Sequence, residues 1–390
     1  MKSVFVRCSL VLAVSLLLAC GGRDNRGGND IVGVVPPGNT PNVSDSPPPE
    51  SNPPEVEPPP APETPLSLPE QLDAYFSERQ SLTAAGVSVL VMKDGEIVYQ
   101  GSKGMANINA GISLNEHTGF RLASVSKSFT ALAIMQLVEA GEIDIHDSIL
   151  DYLPELPNAW RAITVEMLIS HKSGIYDLLN DNWNPALLEG LTNAGARAHF
   201  AINSALEFTP GSRMDYSNSG YVLLAEIIER VTAYDFADYM REFIFEPVGM
   251  EHSYITDENQ PLLVDDALNR ATSHTFYGVT TYISGNMAQV SSASDFVHFF
   301  TALRAGELVS SETIETMVLQ RGTLFGGGYG YGFMLNGNSY GHQGSWDGFR
   351  TIMTIDPELN LEFVVLTNGG SATQSYTSGV RNIVYSFYQE

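Results

Sequence analysis

The chain has 390 residues, a hydrophobic fraction of 43% and a formal net charge of −25 at pH 7. This length predicts one large domain or two smaller ones with a sizeable core. The acidic balance argues against nucleic acid and anionic membrane surfaces as partners. Cys8 and Cys20 are the only cysteines. An intrachain disulfide, a thiol nucleophile and a thiolate metal site are therefore excluded after residue 20.

Residues 1–20 resemble the signal peptide of a bacterial lipoprotein. A basic start precedes the apolar run 10–19, which is too short to span a bilayer. Cys20, followed by two glycines, is the candidate lipidation site, and an ordinary signal peptide cleaved nearby is the alternative. Lipidation at Cys20 would hold the protein on a membrane of the bacterial cell envelope, on the periplasmic or extracellular side, through acyl chains.

Residues 21–66 predict a disordered tether. Glycine, asparagine, serine and aspartate come first, and a proline-rich run from Ser46 to Pro65 follows. Such a composition cannot bury a core, and proline-rich sequence is extended at about 3 Å per residue. We favour a spacer over a peptide-recognition role for these prolines.

A folded α+β domain is predicted over residues 67–390. Asp94-Gly95 lies between two apolar runs, which indicates a hairpin. The predicted elements in chain order are a helix over 69–76, strands over 86–92 and 96–99, a mainly helical lobe over about 143–300, strands over 329–335, 349–355 and 361–366, and a helix over 374–388. This order predicts an antiparallel sheet formed by both chain ends, flanked by helices, with the helical lobe inserted.

Ser124 and Lys127 lie at the start of a predicted helix that ends near Gly141. Residues three apart share a helix face, so the Lys127 ammonium can reach the Ser124 hydroxyl. A serine nucleophile needs a neighbour that takes its proton, and a buried lysine of lowered pKa can do this. Most Ser-x-x-Lys pairs are solvated surface pairs. Here, only Lys127 among the lysines follows a serine at this spacing, and its helix is apolar.

Two further polar segments are candidate site elements. Tyr216-Ser-Asn218 precedes a predicted helix beginning near Gly220, and His342-Gln343-Gly344-Ser345 lies between predicted strands. Glycine in the second segment would allow close approach of a substrate backbone. Taken singly, Tyr216 could be a packed loop residue, Asn218 a helix N-cap and His342 a structural histidine.

Other catalytic and metal-binding patterns are missing from the sequence. It contains no His-Glu-x-x-His, so no metal is implied, and no other cofactor is predicted. It also contains no Gly-x-Ser-x-Gly, which counts against an ordinary α/β-hydrolase. The glycine-rich run 326–332 lacks the spacing of a phosphate-binding loop and is better read as a flexible hairpin.

Three motifs in order carry a family resemblance: Ser124-Val-Ser-Lys127, Tyr216-Ser-Asn218 and His342-Gln-Gly344. With them, residues 68–388 resemble the serine β-lactamase and penicillin-binding protein-like family, on the branch of class C β-lactamases, D-alanyl-D-alanine carboxypeptidases and related esterases. Flanking segments that also look familial are Leu168–Gly174, Pro247–Met250 and Gly344–Thr354.

The resemblance implies a role for each motif residue. Ser124 would attack an amide or ester carbonyl and form an acyl-enzyme, while Lys127 and Tyr216 share the proton transfers. Asn218 would hydrogen-bond the substrate amide. The backbone N–H groups of Ser124 and Ser345 would form the oxyanion hole. Which of Lys127 and Tyr216 is the acylation base stays open at this point.

His342 departs from the lysine that often begins the third motif. Its imidazole could lose its charge near neutral pH, so any anchoring of a substrate carboxylate would weaken as pH rises. Arg321 and Arg350 are the candidates to replace that cation.

The expected protein is a lipid-anchored envelope serine hydrolase with a DD-peptidase-like or β-lactamase-like activity. Its substrate would be a peptidoglycan stem peptide, a β-lactam or an ester. The alternatives are a carboxylesterase of the same fold and a non-catalytic module that binds cell wall or peptide. The intact set Ser124, Lys127 and Tyr216 argues against the non-catalytic module.

Overall fold

A computed structural model describes residues 65–79, 85–179, 184–263, 266–267, 275–276 and 279–389. The predicted signal peptide, Cys20 and all but the last two residues of the predicted tether lie outside the described residues. Among the helices that the structure describes, none combines the length and the apolar character needed to cross a membrane.

The strands β1 to β15 span, in chain order, Val87–Lys93, Glu96–Lys103, Met105–Asn107, Ile112–Ser113, Phe120–Arg121, Tyr254–Ile255, Thr275–Phe276, Val279–Thr280, Gln289–Ser291, Gly322–Leu324, Gly327–Tyr329, Met334–Asn336, Ser339–Trp346, Phe349–Asp356 and Leu361–Thr367. Eight of them form the main sheet in the order β10-β11-β12-β13-β14-β15-β1-β2, and every neighbouring pair is antiparallel. Both ends of the folded region contribute to this sheet, as predicted.

Helices cover both faces of the sheet, and most of them lie in the chain between its second strand, β2, and the next strand of the same sheet, β10. Helices α1 to α11 span, in chain order, Leu68–Arg79, Ser126–Glu139, Ile149–Tyr152, Val165–Ile169, Pro185–Leu188, Asn193–Ile202, Asn218–Thr232, Phe236–Tyr239, Ala293–Ala305, Ser311–Met317 and Gln374–Gln389. Single 3-10 turns lie at Ala123–Val125, Asn158–Trp160, Glu246–Val248 and Gly370–Thr373, and a π-helical turn at Met240–Phe245. Short strands β6 to β9 also lie between residues 143 and 300, where the sequence indicated mainly helix.

The main sheet is apolar on both faces. In β1, Val89 and Val91 belong to the core beneath α1 and α11, whereas Leu90 and Met92 belong to the larger core beneath the helical lobe. The near-continuous apolar sequence of β1 follows from this, since successive residues of a strand point to opposite faces. The first and last helices thus cover one face of the sheet and leave the other to α2 and the lobe.

Helix α2 lies at the centre of the larger core, with every residue from Ser126 to Met135 buried. Its serine and threonine hydroxyls are buried as well, because they are satisfied inside the protein. Ser128 Oγ donates to Gly332 O at 2.7 Å, and Thr130 Oγ1 donates to Gly285 O at 2.7 Å. Helix α2 is therefore a rigid, fully enclosed support for the residues at its start.

Strand β13 corrects an expectation from the sequence, because residues 340–345 were expected to link two strands. Two glycines and no β-branched residue give this segment a weak strand propensity, yet it pairs with β14 along its whole length. On its other side β12 pairs only with residues 339–341. The edge from Gln343 to Trp346 therefore has no partner strand among the described residues.

Candidate active site

Ser124 lies on the 3-10 turn that leads into α2. From Thr118 to Met135, every residue except Ser124 is buried, so the turn presents this hydroxyl at the surface of the core. The preceding Ala123 has φ 51°, a left-handed conformation that is strained for alanine. Strand β13 approaches the turn so closely that a Cβ on Gly344 would lie 2.2 Å from the Leu122 carbonyl oxygen. Glycine is therefore required at position 344.

Lys127 Nζ lies within hydrogen-bond distance of three oxygen atoms. They are Ser124 Oγ at 3.2 Å, Asn218 Oδ1 at 2.8 Å and the Asn286 carbonyl oxygen at 2.9 Å. The Lys127 side chain has no solvent exposure. This burial lowers the pKa of Lys127 to about 7, although the negative charge of Asp177 opposes the shift. A large fraction of Lys127 is thus a neutral amine at neutral pH, and this amine can accept a proton.

Tyr216 completes the polar group around Ser124. The phenol is hydrogen-bonded to the Ser124 hydroxyl, and Lys127 Nζ lies 4.9 Å from the centre of the Tyr216 ring. Burial raises the pKa of Tyr216 well above its ordinary value of 10. Tyr216 therefore stays protonated at neutral pH, whereas Lys127 does not stay fully charged.

Asn218 lies between Lys127 and Asp177. Its Oδ1 accepts from Lys127, while its Nδ2 and backbone N–H both donate to Asp177 Oδ2 at 2.9 Å. The N-cap of α7 is Ser217, whose Oγ accepts from the Gly220 N–H at 3.1 Å, so the N-cap interpretation of Asn218 was wrong. Asp177 was missed from the sequence, and the one available signal was its position just after the familial segment Leu168–Gly174.

His342 is buried and makes two hydrogen bonds inside the protein. Its Nε2 lies 3.2 Å from Tyr329 Oη and its Nδ1 lies 2.8 Å from the Gln343 carbonyl oxygen. Burial, with a further contribution from Lys127, lowers the pKa of His342 to about 3. The expectation that His342 changes charge near neutral pH was therefore wrong, because the imidazole is already neutral there.

His171 is a second buried histidine that sequence reasoning missed. Its Nδ1 accepts from the Ser217 N–H at 3.1 Å, and its ring centre lies 4.5 Å from that of Tyr216 and 4.7 Å from that of Tyr329. Burial and the nearby Lys127 charge hold the pKa of His171 well below its ordinary value of 6.5. His171 is thus a neutral ring packed among the aromatic residues beside Ser124.

A cavity of about 310 Å³ lies over Ser124. Its lining includes Ser124, Tyr216, Gly344 and Ser345, so the structure brings these four predicted residues together. His342 is not part of this lining. The free edge of β13 and the hydroxyl of Ser124 therefore share one space in which an extended substrate can lie.

Arg350 also lines this cavity, whereas Arg321 does not. The Arg350 Nε donates to Gln374 Oε1 at 3.0 Å, at the start of α11. The Arg321 guanidinium instead lies over the Tyr331 ring, 4.4 Å from its centre. Of the two arginines that the sequence offered as substitutes for a cationic third motif, only Arg350 is placed to act on a ligand near Ser124.

Comparison with known proteins identifies the family. The sequence model of the family described as Beta-lactamase matches residues 72–384. The chain therefore belongs to the beta-lactamase family. Penicillin-binding protein 4* of Bacillus subtilis (strain 168) is 29% identical over 325 residues, which cover 74% of this chain and 69% of that protein.

Solved structures agree with this assignment. The octameric penicillin-binding protein homologue from Pyrococcus abyssi matches with a TM-score of 0.68 and 28% identity. The matched region covers 82% of this chain and 76% of the homologue. The D-amino acid amidase from Ochrobactrum anthropi SV3, complexed with L-phenylalanine amide, matches with a TM-score of 0.67 and 25% identity. The matched region covers 83% of this chain and 96% of the amidase. The predicted family, the α+β fold and the serine hydrolase class are confirmed.

Proposed function

We propose that this beta-lactamase-family protein hydrolyses amide or ester bonds through an acyl-enzyme formed on Ser124. The observation that carries the proposal is the position of Lys127, whose buried Nζ lies 3.2 Å from Ser124 Oγ with its pKa lowered to about 7. A general base is most effective when its pKa lies near the working pH. Lys127 meets this condition and Tyr216 does not, so we assign Lys127 as the acylation base.

Acylation then proceeds in one sequence of proton transfers. Neutral Lys127 takes the proton of Ser124 as Oγ bonds to the substrate carbonyl carbon, and the carbonyl electron pair moves onto oxygen. The N–H groups of Ser124 and Ser345 are the proposed donors to this oxyanion. Tyr216 gives its proton to the leaving nitrogen or oxygen as that bond breaks, and takes a proton back from Lys127.

Deacylation reverses these steps with water. Water adds to the acyl carbonyl while neutral Lys127 takes its proton, and Lys127 then returns a proton to Ser124 Oγ as the ester bond breaks. No cofactor enters this scheme. Among the described residues, no cluster of three or more His, Cys, Asp or Glu side chains is arranged to hold a metal ion.

The substrate is proposed to lie in extended form against the free edge of β13, since an unpaired strand edge offers backbone donors and acceptors to a peptide. Asn218 retains one Nδ2 hydrogen beyond its bond to Asp177 and can donate it to the substrate amide. The relatives named penicillin-binding protein and D-amino acid amidase support amide substrates. We therefore favour a DD-peptidase-like or β-lactamase-like activity on peptidoglycan stem peptides or β-lactams.

An esterase of the same fold is the second candidate. The observation in its favour is that His342 is neutral and buried, so the third motif supplies no cation for a substrate carboxylate. Arg350 is the remaining cation of the Ser124 cavity. Small neutral esters would need neither group.

Location in the bacterial cell envelope is proposed from the penicillin-binding relatives and from the sequence before the fold. In this arrangement the signal peptide is cleaved before Cys20, Cys20 becomes the lipidated first residue, residues 21–66 form the spacer and residues 67–390 form the enzyme. Replacing Cys20 with serine should release the protein from membranes. Continued membrane association of Cys20→Ser would contradict the anchor.

The test of the function is the intact mass of the protein after exposure to a penicillin, a small ester or a D-Ala-D-Ala peptide, with product release followed in parallel. A stable penicilloyl adduct, lost in Ser124→Ala and kept in the surface control Ser77→Ala, would support a penicillin-binding peptidase. Ester turnover without reaction with the β-lactam would support the esterase. No adduct and no turnover on any of the three would contradict both and favour a non-catalytic binding module.

A further inference from the structure

The cavity over Ser124 continues along helix α11. Two further cavities, of about 270 Å³ and about 870 Å³, adjoin it. All three are lined by Gln343 and Ile352, which are register partners on β13 and β14 and so point to the same face of the sheet. The three cavities therefore form one groove, whose floor is the α11-facing side of these two strands. We call it the α11 groove.

One wall of the α11 groove is a single face of α11. Gln374, Thr377, Arg381 and Tyr385 all line it, at the spacing of three and four residues that places side chains on one helix face. Gln374 contacts Arg350 at the end near Ser124. Arg381 comes two helical turns later, about 10 Å further along the groove at 1.5 Å per residue. This distance matches about three residues of an extended peptide.

The arginines of the α11 groove have no carboxylate partner within salt-bridge distance in the part of the chain that the structure describes. Ion pairs hold many of the other arginines, namely Arg79, Arg161, Arg197, Arg213, Arg230, Arg241 and Arg304. Both Arg350 and Arg381 are only partly buried. In a chain with a net charge of −25, two such cations along one groove indicate an anionic ligand.

The remaining polar groups indicate what kind of anion fits. Amide side chains of Asn336, Gln343, Gln374 and Asn382 line the groove and can pair with the donors and acceptors of a peptide backbone. Asp356 and Glu358 lie in its larger part, where they would repel a polyanion. A peptide with one carboxylate at the level of Arg381 fits this charge pattern, whereas a nucleic acid or a poly-acidic chain does not.

We propose that the α11 groove is a substrate subsite that binds a peptide arm reaching about three residues from the scissile bond, with its carboxylate held by Arg381. This inference rests on the hydrolase function proposed for Ser124. A guanidinium can grip a carboxylate with two parallel hydrogen bonds, which gives both affinity and register. Arg381 would thus favour acidic peptide substrates over short neutral ones.

The experiment compares a short neutral ester with ester substrates that carry a three-residue arm ending in Glu or in Gln, placed on either the acyl side or the leaving side. We expect kcat/KM to be about tenfold higher for a Glu arm than for the matching Gln arm in one of the two placements. The substitution Arg381→Gln should abolish this preference by raising KM for the ester with the Glu arm. The kcat/KM for the short neutral ester should stay the same. The matched control Arg241→Gln, an exposed arginine of the helical lobe, should keep it.

Equal kcat/KM for Glu and Gln arms in both placements, or a Glu preference that survives Arg381→Gln, would overturn the subsite. If the parent protein hydrolyses none of these esters, the penicillin and D-Ala-D-Ala tests above decide the proposed function, and calorimetric binding of the free peptide arms to Ser124→Ala decides the groove separately. Tighter binding of the Glu peptide that is lost with an added Arg381→Gln would support the subsite. Equal binding of the two peptides would overturn it.

Discussion

Lys127 Nζ lies 3.2 Å from Ser124 Oγ in a position with no solvent exposure. A charged ammonium is poorly accommodated there, and the pKa of Lys127 falls to about 7 as a result. The same burial that makes the amine an effective base also makes its charged form unfavourable. Activity and stability should therefore both report on this one group, in different ranges of pH.

The first prediction concerns the pH dependence of the reaction. Because neutral Lys127 is the proposed base, kcat/KM should rise with pH and level off above an apparent pKa of about 7. Lys127→Met should lower kcat/KM by about a thousandfold. The control Lys103→Met, at a partly exposed lysine of strand β2, should leave both rate and profile unchanged. A profile that is flat between pH 5.5 and 8.5 would contradict the assignment.

Asp177 should tune this profile. Its negative charge raises the pKa of Lys127, so Asp177→Asn should move the acid limb of the kcat/KM profile to lower pH. The carboxylate also accepts hydrogen bonds from Asn218, so some loss of the plateau rate is expected. The measurement is a full pH profile of the variant with a small ester. A limb that moves to higher pH, or does not move, would mean that Asp177 does not act on Lys127.

The second consequence of burying Lys127 concerns stability. A lysine with a pKa of about 7 when folded and 10.5 when unfolded destabilises the fold most at pH 7 and below. The destabilisation diminishes as pH rises towards 10.5, because the unfolded state also loses its proton. The parent should therefore gain about 1.4 kcal/mol of unfolding free energy per pH unit from this group above pH 7.

Lys127→Met lacks this titration, which provides the test. Urea unfolding gives the free energy of unfolding of parent and variant at each pH between about 7 and 9.5. Plotted against pH, the two slopes should differ by about 1.4 kcal/mol per pH unit. The stability of the variant relative to the parent should be greatest at pH 7. Other titrating groups are common to both proteins and cancel in the difference. Parallel lines would show that the folded-state pKa of Lys127 is not lowered.

The sequence predicted those site residues that belong to short motifs with a fixed spacing. Ser124 and Lys127 share the face at the start of one helix, and Tyr216 lies two residues before Asn218, so local spacing was informative. Asp177 could not be found in this way, because its role depends on contacts with Asn218, 41 residues later in the chain. Such contacts are set by tertiary packing and have no local signature.

The fold shows the same division between local and tertiary information. The Asp94-Gly95 turn and the apolar run of β1 were readable because turn chemistry and short apolar runs bounded by a turn are local signals. The burial of α2 on all sides was not readable, since its hydroxyls resemble surface residues until their partners are known. Strand β13 could not be predicted for a related reason. Position 344 is glycine because the strand approaches Leu122 closely there, and this glycine lowers the strand propensity of the segment.

His342 should affect stability at acid pH. Its pKa is lowered to about 3 in the fold from an unfolded value of 6.5, so its contribution to stability is complete above pH 6.5 and is lost as pH falls towards 3. Each pH unit in that window should cost about 1.4 kcal/mol for this group. His342→Gln should therefore flatten the fall in unfolding free energy between pH 6.5 and 4.5. An exposed histidine, changed as His146→Gln, is the control. An unchanged slope in His342→Gln would contradict the neutral, buried histidine.

The last prediction concerns Phe325, which is 70% exposed, has φ 53° and lies on the turn between β10 and β11. Its ring centre lies 5.3 Å from that of Tyr216, and it lines the cavity over Ser124. A strained, exposed aromatic residue beside a reactive serine is typical of a contact surface for ligand. We expect its ring to pack against an apolar side chain of the substrate next to the scissile bond.

Phe325→Gly removes the ring and suits the left-handed backbone, so the unfolding free energy should change by no more than about 1 kcal/mol. KM for an ester with an aromatic side chain should rise about fivefold to tenfold, since a ring contact contributes about 1 kcal/mol. KM for a matched alanyl ester should stay nearly constant. Leu319→Ala, at another exposed apolar residue that does not line this cavity, serves as the control. Equal changes in KM for the aromatic and alanyl esters would show that Phe325 does not contact the substrate side chain.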